Sequence, residues 1–170
     1  MSNNIIRIYY SSLMHICYRA YGRDDNLAND PYASGKFHKN PYAKKTDVTG
    51  SLVVVLDGIM EDRGLSLIKP ISRCVCKHEV HELILTDETG AKPGGEVNRI
   101  AYLGFCTIGE GGVIVSGDDF YVDGKLIGQL AGFDETHMPN HLNIVIKTDK
   151  LRTGIELEAA LGNKIVFKGM

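Results

Sequence analysis

Hydrophobic positions along the chain fall into short runs, and these runs lack the periodicity of long helices. β-Branched and aromatic residues dominate them, while glycine, aspartate and asparagine separate them at short intervals. The predicted strands are Ile5–Tyr10, Ser51–Leu56, Leu65–Cys76, Val80–Thr86, Ile100–Ile108, Gly112–Ser116, Phe120–Val122, Lys125–Leu130, Leu142–Lys147, Gly154–Leu157 and Lys164–Phe167. The best candidate for a helical turn lies within Thr153–Leu161, although part of that stretch alternates like a strand. This pattern predicts an all-β fold, and we favour a single small β-barrel, closed or partly open.

Turn residues indicate where these strands reverse direction. Asp123-Gly124 lies between two apolar stretches and predicts a two-residue hairpin, because such turns place their central residues at positive φ. Asp57-Gly58 predicts a second turn of this kind. Glu61-Asp62-Arg63 predicts a surface turn with a local ion pair, which contributes little to stability.

Residues 22–50 interrupt the strand pattern, because they are polar, rich in turn residues and nearly free of aliphatic side chains. We therefore divide the chain into an N-terminal strand region (1–21), a long polar loop (22–50) and a β-barrel domain (51–170). Loops of this length in compact domains are usually functional or mobile. Two interpretations stay open here: a plain mobile connection, or a lid whose Tyr32 and Tyr42 close over a pocket.

Composition and charge are those of an ordinary soluble globular protein. Of the 170 residues, 44% are hydrophobic and 24% are charged, and the net charge is -2. This balance excludes the strongly basic signature of a general nucleic-acid binder. No apolar run approaches the roughly 18 residues of a membrane helix, and Ile5–Tyr18 lacks the flanks of a signal peptide. We expect a cytoplasmic protein with neither nucleic acid nor membrane as partner.

The cysteines are interpreted as reduced and mostly buried, which agrees with a cytoplasmic location. They are Cys17, Cys74, Cys76 and Cys106. Cys106 lies in an apolar run with no base near it in sequence. We therefore predict a core position for it.

Candidate chemistry concentrates between Asp134 and His141, a stretch with two carboxylates, two histidines, a threonine and an asparagine. Pro139 disfavours a helix there, so we predict a loop between two strands. Two imidazoles with a carboxylate are the usual ligands of zinc, iron or manganese. His137 and His141 are therefore predicted metal ligands. The alternative is a turn whose polar side chains satisfy their own backbone.

A second polar cluster lies in the predicted strand that leads into Val80–Thr86. If that strand is continuous, Glu79 and His81 share a face and could complete a site with the loop histidines. The opposite face would then carry Cys74, Cys76, His78 and Glu82. The competing interpretation is a half-exposed strand with solvated polar residues and inward-facing cysteines.

Two runs of the sequence resemble a small, functionally uncharacterised bacterial protein family. They are Gly117–Gly128 and Gly132–Ile146, and the second contains the specific string Gly-Phe-Asp-Glu-Thr-His-Met-Pro-Asn-His. The segments Gly50–Val53 and His81–Leu83 are similar to that family too. The resemblance covers about Gly50–Phe167 and implies membership of a family with no assigned activity.

A more distant similarity is to the glucitol/sorbitol-specific IIA component of the sugar phosphotransferase system. It rests on a strand ending at Gly128, the loop Asp134–Asn140, the strand His141–Ile146 and the glycine-led strand Gly162–Phe167. The similarity implies a small closed β-barrel. The phosphorylated histidine of that family would fall near Leu103–Cys106, which contains no histidine, so phosphoryl transfer is not implied.

The leading hypothesis is a metal-assisted enzyme that acts on a small polar metabolite. The loop histidines, with Glu79 or His81, would hold divalent zinc, iron or manganese, and Asp134 or Glu135 would transfer protons or orient an imidazole. Hydrolysis, isomerisation and elimination stay open. The alternatives are a non-catalytic carbohydrate- or small-ligand-binding module related to phosphotransferase-type barrels, and a homo-oligomer whose subunit interface includes the polar loop.

Overall fold

The computed structural model describes Ser34, Lys36 and residues 40–169. The predicted N-terminal strand region (1–21) and Tyr32 of the predicted lid lie outside these residues. From residue 40 onward the described chain belongs to one compact unit. Before its first strand, the Lys45 side chain is 11% exposed, and its Nζ lies 2.8 Å from Oδ2 of Asp118. The last part of the predicted polar loop is therefore attached to the barrel.

Strands and turns make up the described chain, and the all-β prediction is confirmed. The strands are β1 (Val48–Val55), β2 (Ile59–Met60), β3 (Leu65–Ser66), β4 (Ser72–Val75), β5 (Val80–Thr86), β6 (Glu96–Val97), β7 (Ile100–Glu110), β8 (Gly112–Val115), β9 (Asp119–Val122), β10 (Lys125–Asp134), β11 (Asn143–Lys147) and β12 (Lys164–Lys168). None of the described residues belongs to a helix long and apolar enough to cross a membrane.

Seven strands of the main sheet form a ring in the order β1, β12, β9, β10, β11, β5, β7 and back to β1. Six of these pairings are antiparallel. The pairing of β11 with β5 is parallel. Outside the ring, β2 extends the sheet beside β7, and the pairs β3–β6 and β4–β8 form two small sheets. The molecule is thus a partly open, barrel-like fold.

The predicted hairpin at Asp123-Gly124 is confirmed, because β9 and β10 pair on either side of it. Asp123 has a φ of 46° and Gly124 a φ of 77°, as a two-residue turn requires. The second predicted hairpin, at Asp57-Gly58, is wrong, because β2 pairs with β7 and not with β1. The chain instead follows β7 there, where the N–H of Leu56 donates to the carbonyl of Leu103.

The predicted strand Gly154–Leu157 is also wrong, because this segment forms consecutive turns. The N–H of Thr153 donates to Oε2 of Glu156 at 2.9 Å, and the N–H of Glu156 donates to Oγ1 of Thr153 at 3.2 Å. This reciprocal arrangement is a capping box, which starts helical turns. Local side-chain hydrogen bonds therefore override the alternating pattern.

Hydrophobic side chains fill both faces of the β5 wall. Leu83 and Leu85 belong to the large cluster inside the ring. Ile84 belongs to a smaller outer cluster, which β3 and β6 cover with Leu65 and Val97. Because strand residues alternate between faces, the residue two before Ile84 also lies on the outer face. Position 82 is thereby buried outside the ring, where a charged side chain needs a partner.

The described cysteines occupy two different environments. Cys106 is fully buried, as predicted, and burial raises the pKa of its thiol to about 12. Cys74 and Cys76 are exposed, so the prediction of mostly buried cysteines is wrong for these two. The reason is that β4, which carries Cys74, pairs only with β8 in a two-stranded sheet apart from the ring. Cys17 lies outside the described residues.

Candidate metal centre

Four neighbouring strands place a row of side chains at one end of the outer barrel wall. Asp134 on β10 pairs with Asn143 on β11. Glu82 on β5 lies beside Asn143 and pairs with Phe105 on β7. The loop between β10 and β11, residues 135–142, begins and ends at this row. The strand register thus brings the loop's histidines to the end of β5 that carries Glu82.

Asp134 fixes the base of this loop. Its buried carboxylate accepts hydrogen bonds from the N–H of Ser66 at 3.1 Å, the N–H of Thr136 at 3.1 Å and Nδ2 of Asn143 at 2.9 Å. These donors satisfy the carboxylate as buried polar groups require. The contacts of Asp134 are those of a positioning residue, and its predicted proton transfer stays a prediction.

Glu135, the other predicted acid or base, has a more open environment. Its side chain is 38% exposed and forms an ion pair with Arg73 of β4. This pair ties the start of the loop to the small β4–β8 sheet. Because solvent reaches Glu135, its carboxylate is accessible to a small ligand, whereas that of Asp134 is not.

Glu82, His137 and His141 converge at this loop. One potential ligand atom from each residue lies within 4.8 Å of the other two. The rings of His137 and His141 stack with centroids 4.9 Å apart and an interplanar angle of 26°. The ring of Phe105 meets His141 edge to face at 5.1 Å and limits its movement. Two imidazoles and a carboxylate therefore face one point, which is the donor set of a transition-metal site.

One buried nitrogen in this cluster lacks the hydrogen bond that such a group normally makes. Nε2 of His141 has no hydrogen-bond partner among the described residues. The Glu82 side chain is 9% exposed, and its Oε2 lies 3.6 Å from that nitrogen, which is too long for a hydrogen bond. The nitrogen and the carboxylate thus face each other without a hydrogen bond between them. Because the Asn140 amide donates to Nδ1 of His141, Nε2 carries the proton, and a cation that displaces this proton would bind both groups.

The neighbouring pair, Glu79 and His81, is engaged in the fold. Nδ1 of His81 accepts the N–H of Leu142 at 3.3 Å, so Nε2 carries the proton and donates to Oε2 of Glu79 at 3.3 Å. Glu79 also accepts the N–H of Cys76 at 2.6 Å. Burial lowers the pKa of His81 more than the Glu79 carboxylate raises it. One nitrogen of His81 thus holds the chain just before β11, and the other holds the turn before β5.

The continuous strand assumed for this region is interrupted. β4 ends at Val75 and β5 begins at Val80, with a turn between them. His78 adopts a φ of 74° in that turn, and the Glu79 carboxylate closes it on the backbone of Cys76. The predicted set of Cys74, Cys76, His78 and Glu82 on one strand face is therefore wrong.

Of the four predicted metal ligands, the structure brings His137 and His141 together. It does not bring Glu79 or His81 into the group of ligand atoms found among the described residues. Glu82 takes the carboxylate position, and its signal in the sequence was a charged residue within the apolar run of β5. The role of Glu79 and His81 as ligands stays a prediction. Metal binding there would have to replace the hydrogen bonds that these side chains make.

Arg63 was missed as a site residue, and its predicted local ion pair is wrong. Among the described residues, its guanidinium has no carboxylate within 4.0 Å, because Glu61 pairs with Arg99 instead. Arg63 donates from Nε to the hydroxyl of Tyr102 at 3.0 Å and from Nη2 to Nε2 of His137 at 3.3 Å. No local sequence pattern indicates this contact.

A groove of about 460 Å³ lies at the other end of the same strands. Its lining includes Asp87, Asp119, Gln129 and Lys147. None of the predicted site residues lines it, and Asp87 is already paired with Arg99. The chemistry predicted from the sequence therefore belongs to the loop end of the wall.

Comparison with known proteins assigns the chain to a family and gives no activity for it. The model of a family of unknown function, DUF6917, matches residues 42–168, so the chain belongs to that family. No curated protein and no solved structure matches it. The resemblance to an uncharacterised family is thus confirmed, whereas its bacterial origin and the similarity to the phosphotransferase component stay predictions.

Proposed function

We propose that this protein binds a divalent transition-metal ion through Glu82, His137 and His141 and uses it to act on a small polar metabolite. The observation that carries the proposal is the unpartnered Nε2 of His141, buried and facing the buried carboxylate of Glu82. A bound cation would neutralise the carboxylate and accept the lone pair of each imidazole.

The donor set favours zinc and suits catalysis better than a purely structural role. Structural zinc sites use four protein ligands, whereas catalytic sites use about three, often two histidines and one glutamate, and keep a position for water. The same set also binds non-haem iron, with manganese as a further alternative. Metal-bound water reaches a pKa of about 7 and becomes a nucleophile or base. Three ligands here leave such a position open.

Access and proton transfer fit this assignment. His137 is exposed on the outer wall, so a small ligand can reach the site from solvent. We assign proton transfer to Glu135, whose carboxylate reaches solvent on the same loop. Asp134 would position the loop, and the Asn140 carboxamide, 3.0 Å from Nδ1 of His141, would turn its oxygen to that nitrogen and orient the imidazole.

The test is the metal content of the purified, untagged full chain, measured by plasma mass spectrometry after reconstitution with Zn²⁺, Fe²⁺ or Mn²⁺. His137→Ala and His141→Asn remove ligands. The matched control is His78→Asn, a histidine outside the cluster at a positive φ that asparagine tolerates. Thermal unfolding of each metal-free variant checks that it folds.

We expect near-stoichiometric metal in the wild type and in His78→Asn, with loss in both site variants. A wild type that stays metal-free with all three ions would contradict the proposal, as would full metal content in a folded His141→Asn. The first of those outcomes would favour the ligand-binding alternative, which a screen of sugars for chelator-insensitive thermal stabilisation would then examine.

A further inference from the structure

Arg63 is a cationic side chain next to the candidate metal centre, and hydrogen bonds to Tyr102 and Asn98 fix its position. The hydroxyl of Tyr102 accepts its Nε–H, and the backbone N–H of Arg63 donates to the carbonyl of Asn98 at 3.0 Å. Its remaining described side-chain contact is the 3.3 Å hydrogen bond from Nη2 to Nε2 of His137. No carboxylate of the described residues lies within 4.0 Å of the guanidinium.

The contact between Arg63 and His137 cannot coexist with metal binding at His137. A guanidinium only donates, so Nε2 of His137 is the acceptor and the proton sits on Nδ1. A metal at Nε2 takes the same lone pair. A metal at Nδ1 moves the proton to Nε2, where it would face another donor. Either mode of coordination therefore releases Nη2 of Arg63.

After its release from His137, the planar guanidinium of Arg63 presents free N–H donors next to a doubly charged metal ion. The two positive charges repel each other, and the hydrogen bond to Tyr102 keeps the arginine from moving far. An oxyanion relieves this repulsion, because one oxygen can bind the metal while another accepts from Arg63. Arginine binds carboxylate and phosphate groups with this geometry in many proteins.

We propose that the substrate carries an oxyanion, a carboxylate or a phosphate, which Arg63 binds only after metal coordination has released it from His137. This inference rests on the proposed metal site. Two consequences go beyond metal binding itself. The affinity for an oxyanion should depend on the bound metal, and Arg63 should compete with the metal for His137.

The experiment titrates acetate and methylphosphonate into the full chain by calorimetry at constant ionic strength, with and without zinc. The variants are Arg63→Gln and Arg63→Lys. Lysine keeps the charge but lacks the paired, coplanar N–H donors of the guanidinium. The control is Arg99→Gln, an arginine already paired with Asp87 and Glu61. Zinc affinity is measured separately in each protein.

We expect the zinc-loaded wild type and Arg99→Gln to bind one or both oxyanions. Removal of zinc, or Arg63→Gln in the zinc-loaded protein, should weaken that binding about tenfold or more, which is the loss of one charge-assisted hydrogen bond. The oxyanion affinity of Arg63→Lys should lie between those of the wild type and Arg63→Gln. This variant replaces Arg63→Gln in the test if Arg63→Gln does not fold. Zinc affinity should rise in Arg63→Gln, because a competitor for His137 is gone.

The results separate the two proposals. Zinc binding with no oxyanion binding, oxyanion binding equal with and without zinc, or unchanged oxyanion affinity in Arg63→Gln would overturn the role of Arg63 and leave the metal site standing. Absence of zinc binding in the wild type would overturn both. A preference for acetate or for methylphosphonate would identify the substrate's group as carboxylate or phosphate.

Discussion

Two histidine–glutamate pairs lie at the same end of the barrel wall, and they differ in how their polar atoms are used. In the pair His81–Glu79, both imidazole nitrogens have partners and the carboxylate also closes a turn. In the pair His141–Glu82, the facing atoms are 3.6 Å apart, and the nitrogen has no hydrogen-bond partner among the described residues. Similar side chains thus have their polar atoms paired in one place and, in the other, leave a buried imidazole nitrogen without a hydrogen bond.

The difference is informative because folding alone does not favour the second arrangement. A buried polar group without a partner costs about 1–3 kcal/mol, and more when it is charged. Unsatisfied polar groups at one point therefore indicate binding more strongly than the number of polar residues does.

The largest expected effect concerns Asp134, the most fully satisfied carboxylate of the row. Asp134→Ala removes three hydrogen bonds and leaves the Ser66 N–H and the buried Asn143 amide without their acceptor. We expect the free energy of unfolding to fall by about 3 kcal/mol or more in chemical denaturation. The exposed Asp149→Ala is the control and should change it by less than about 0.5 kcal/mol. A loss as small as the control's would mean that the loop base does not depend on this carboxylate.

Glu82→Gln should affect the metal-free and metal-loaded proteins differently. At a metal concentration about 100 times the dissociation constant, the wild type should gain about 2.7 kcal/mol of stability, and the variant should gain almost none. Without metal, the variant should be as stable as the wild type or more so, because a buried charge is gone. Paired denaturation curves measure both. A marked loss of stability in the metal-free variant would show that Glu82 and His141 form a sufficient ion pair by themselves.

Much of the fold could be predicted because its strands are encoded locally. Val80–Thr86 has the same bounds in the sequence pattern and in the structure, since an apolar run there ends at turn residues. The Asp123-Gly124 hairpin follows from the positive φ that its residues adopt. Around residue 155 the sequence supported both a strand and a helical turn, and the capping box between Thr153 and Glu156 decides for the turn.

The candidate site was only half visible in the sequence. The loop histidines could be found because polar residues concentrate around a proline. Glu82 was assigned to the wrong group, because the break in the strand occurs at a histidine with positive φ rather than at a glycine or proline. The contact between Arg63 and His137 joins residues 74 positions apart, and tertiary packing alone creates it.

A smaller effect should come from Asn140, which contacts His141 on the side away from Glu82. Its amide nitrogen donates to Nδ1 in the metal-free protein. A metal at Nε2 needs an acceptor at Nδ1, and the amide oxygen supplies it when the carboxamide turns over. Asn140→Ala should weaken zinc binding about tenfold, and Asn140→Asp should strengthen it by supplying that acceptor. Competition titrations against a chromogenic chelator measure both constants. Equal affinities in the two variants would show that His141 is oriented by Phe105 alone.

The smallest effect on metal binding should come from the satisfied pair itself. Glu79→Gln keeps the size of the side chain but weakens its bonds to His81 and to the backbone of Cys76, so stability should fall by about 1 kcal/mol. Zinc affinity should stay within about threefold of the wild type, because Glu79 only supports the turn before β5. The measurement pairs a denaturation curve with a zinc titration. If Glu79→Gln removed zinc as completely as Glu82→Gln, the two pairs would form one site, and hydrogen-bond satisfaction would not distinguish fold from function at this end of the barrel.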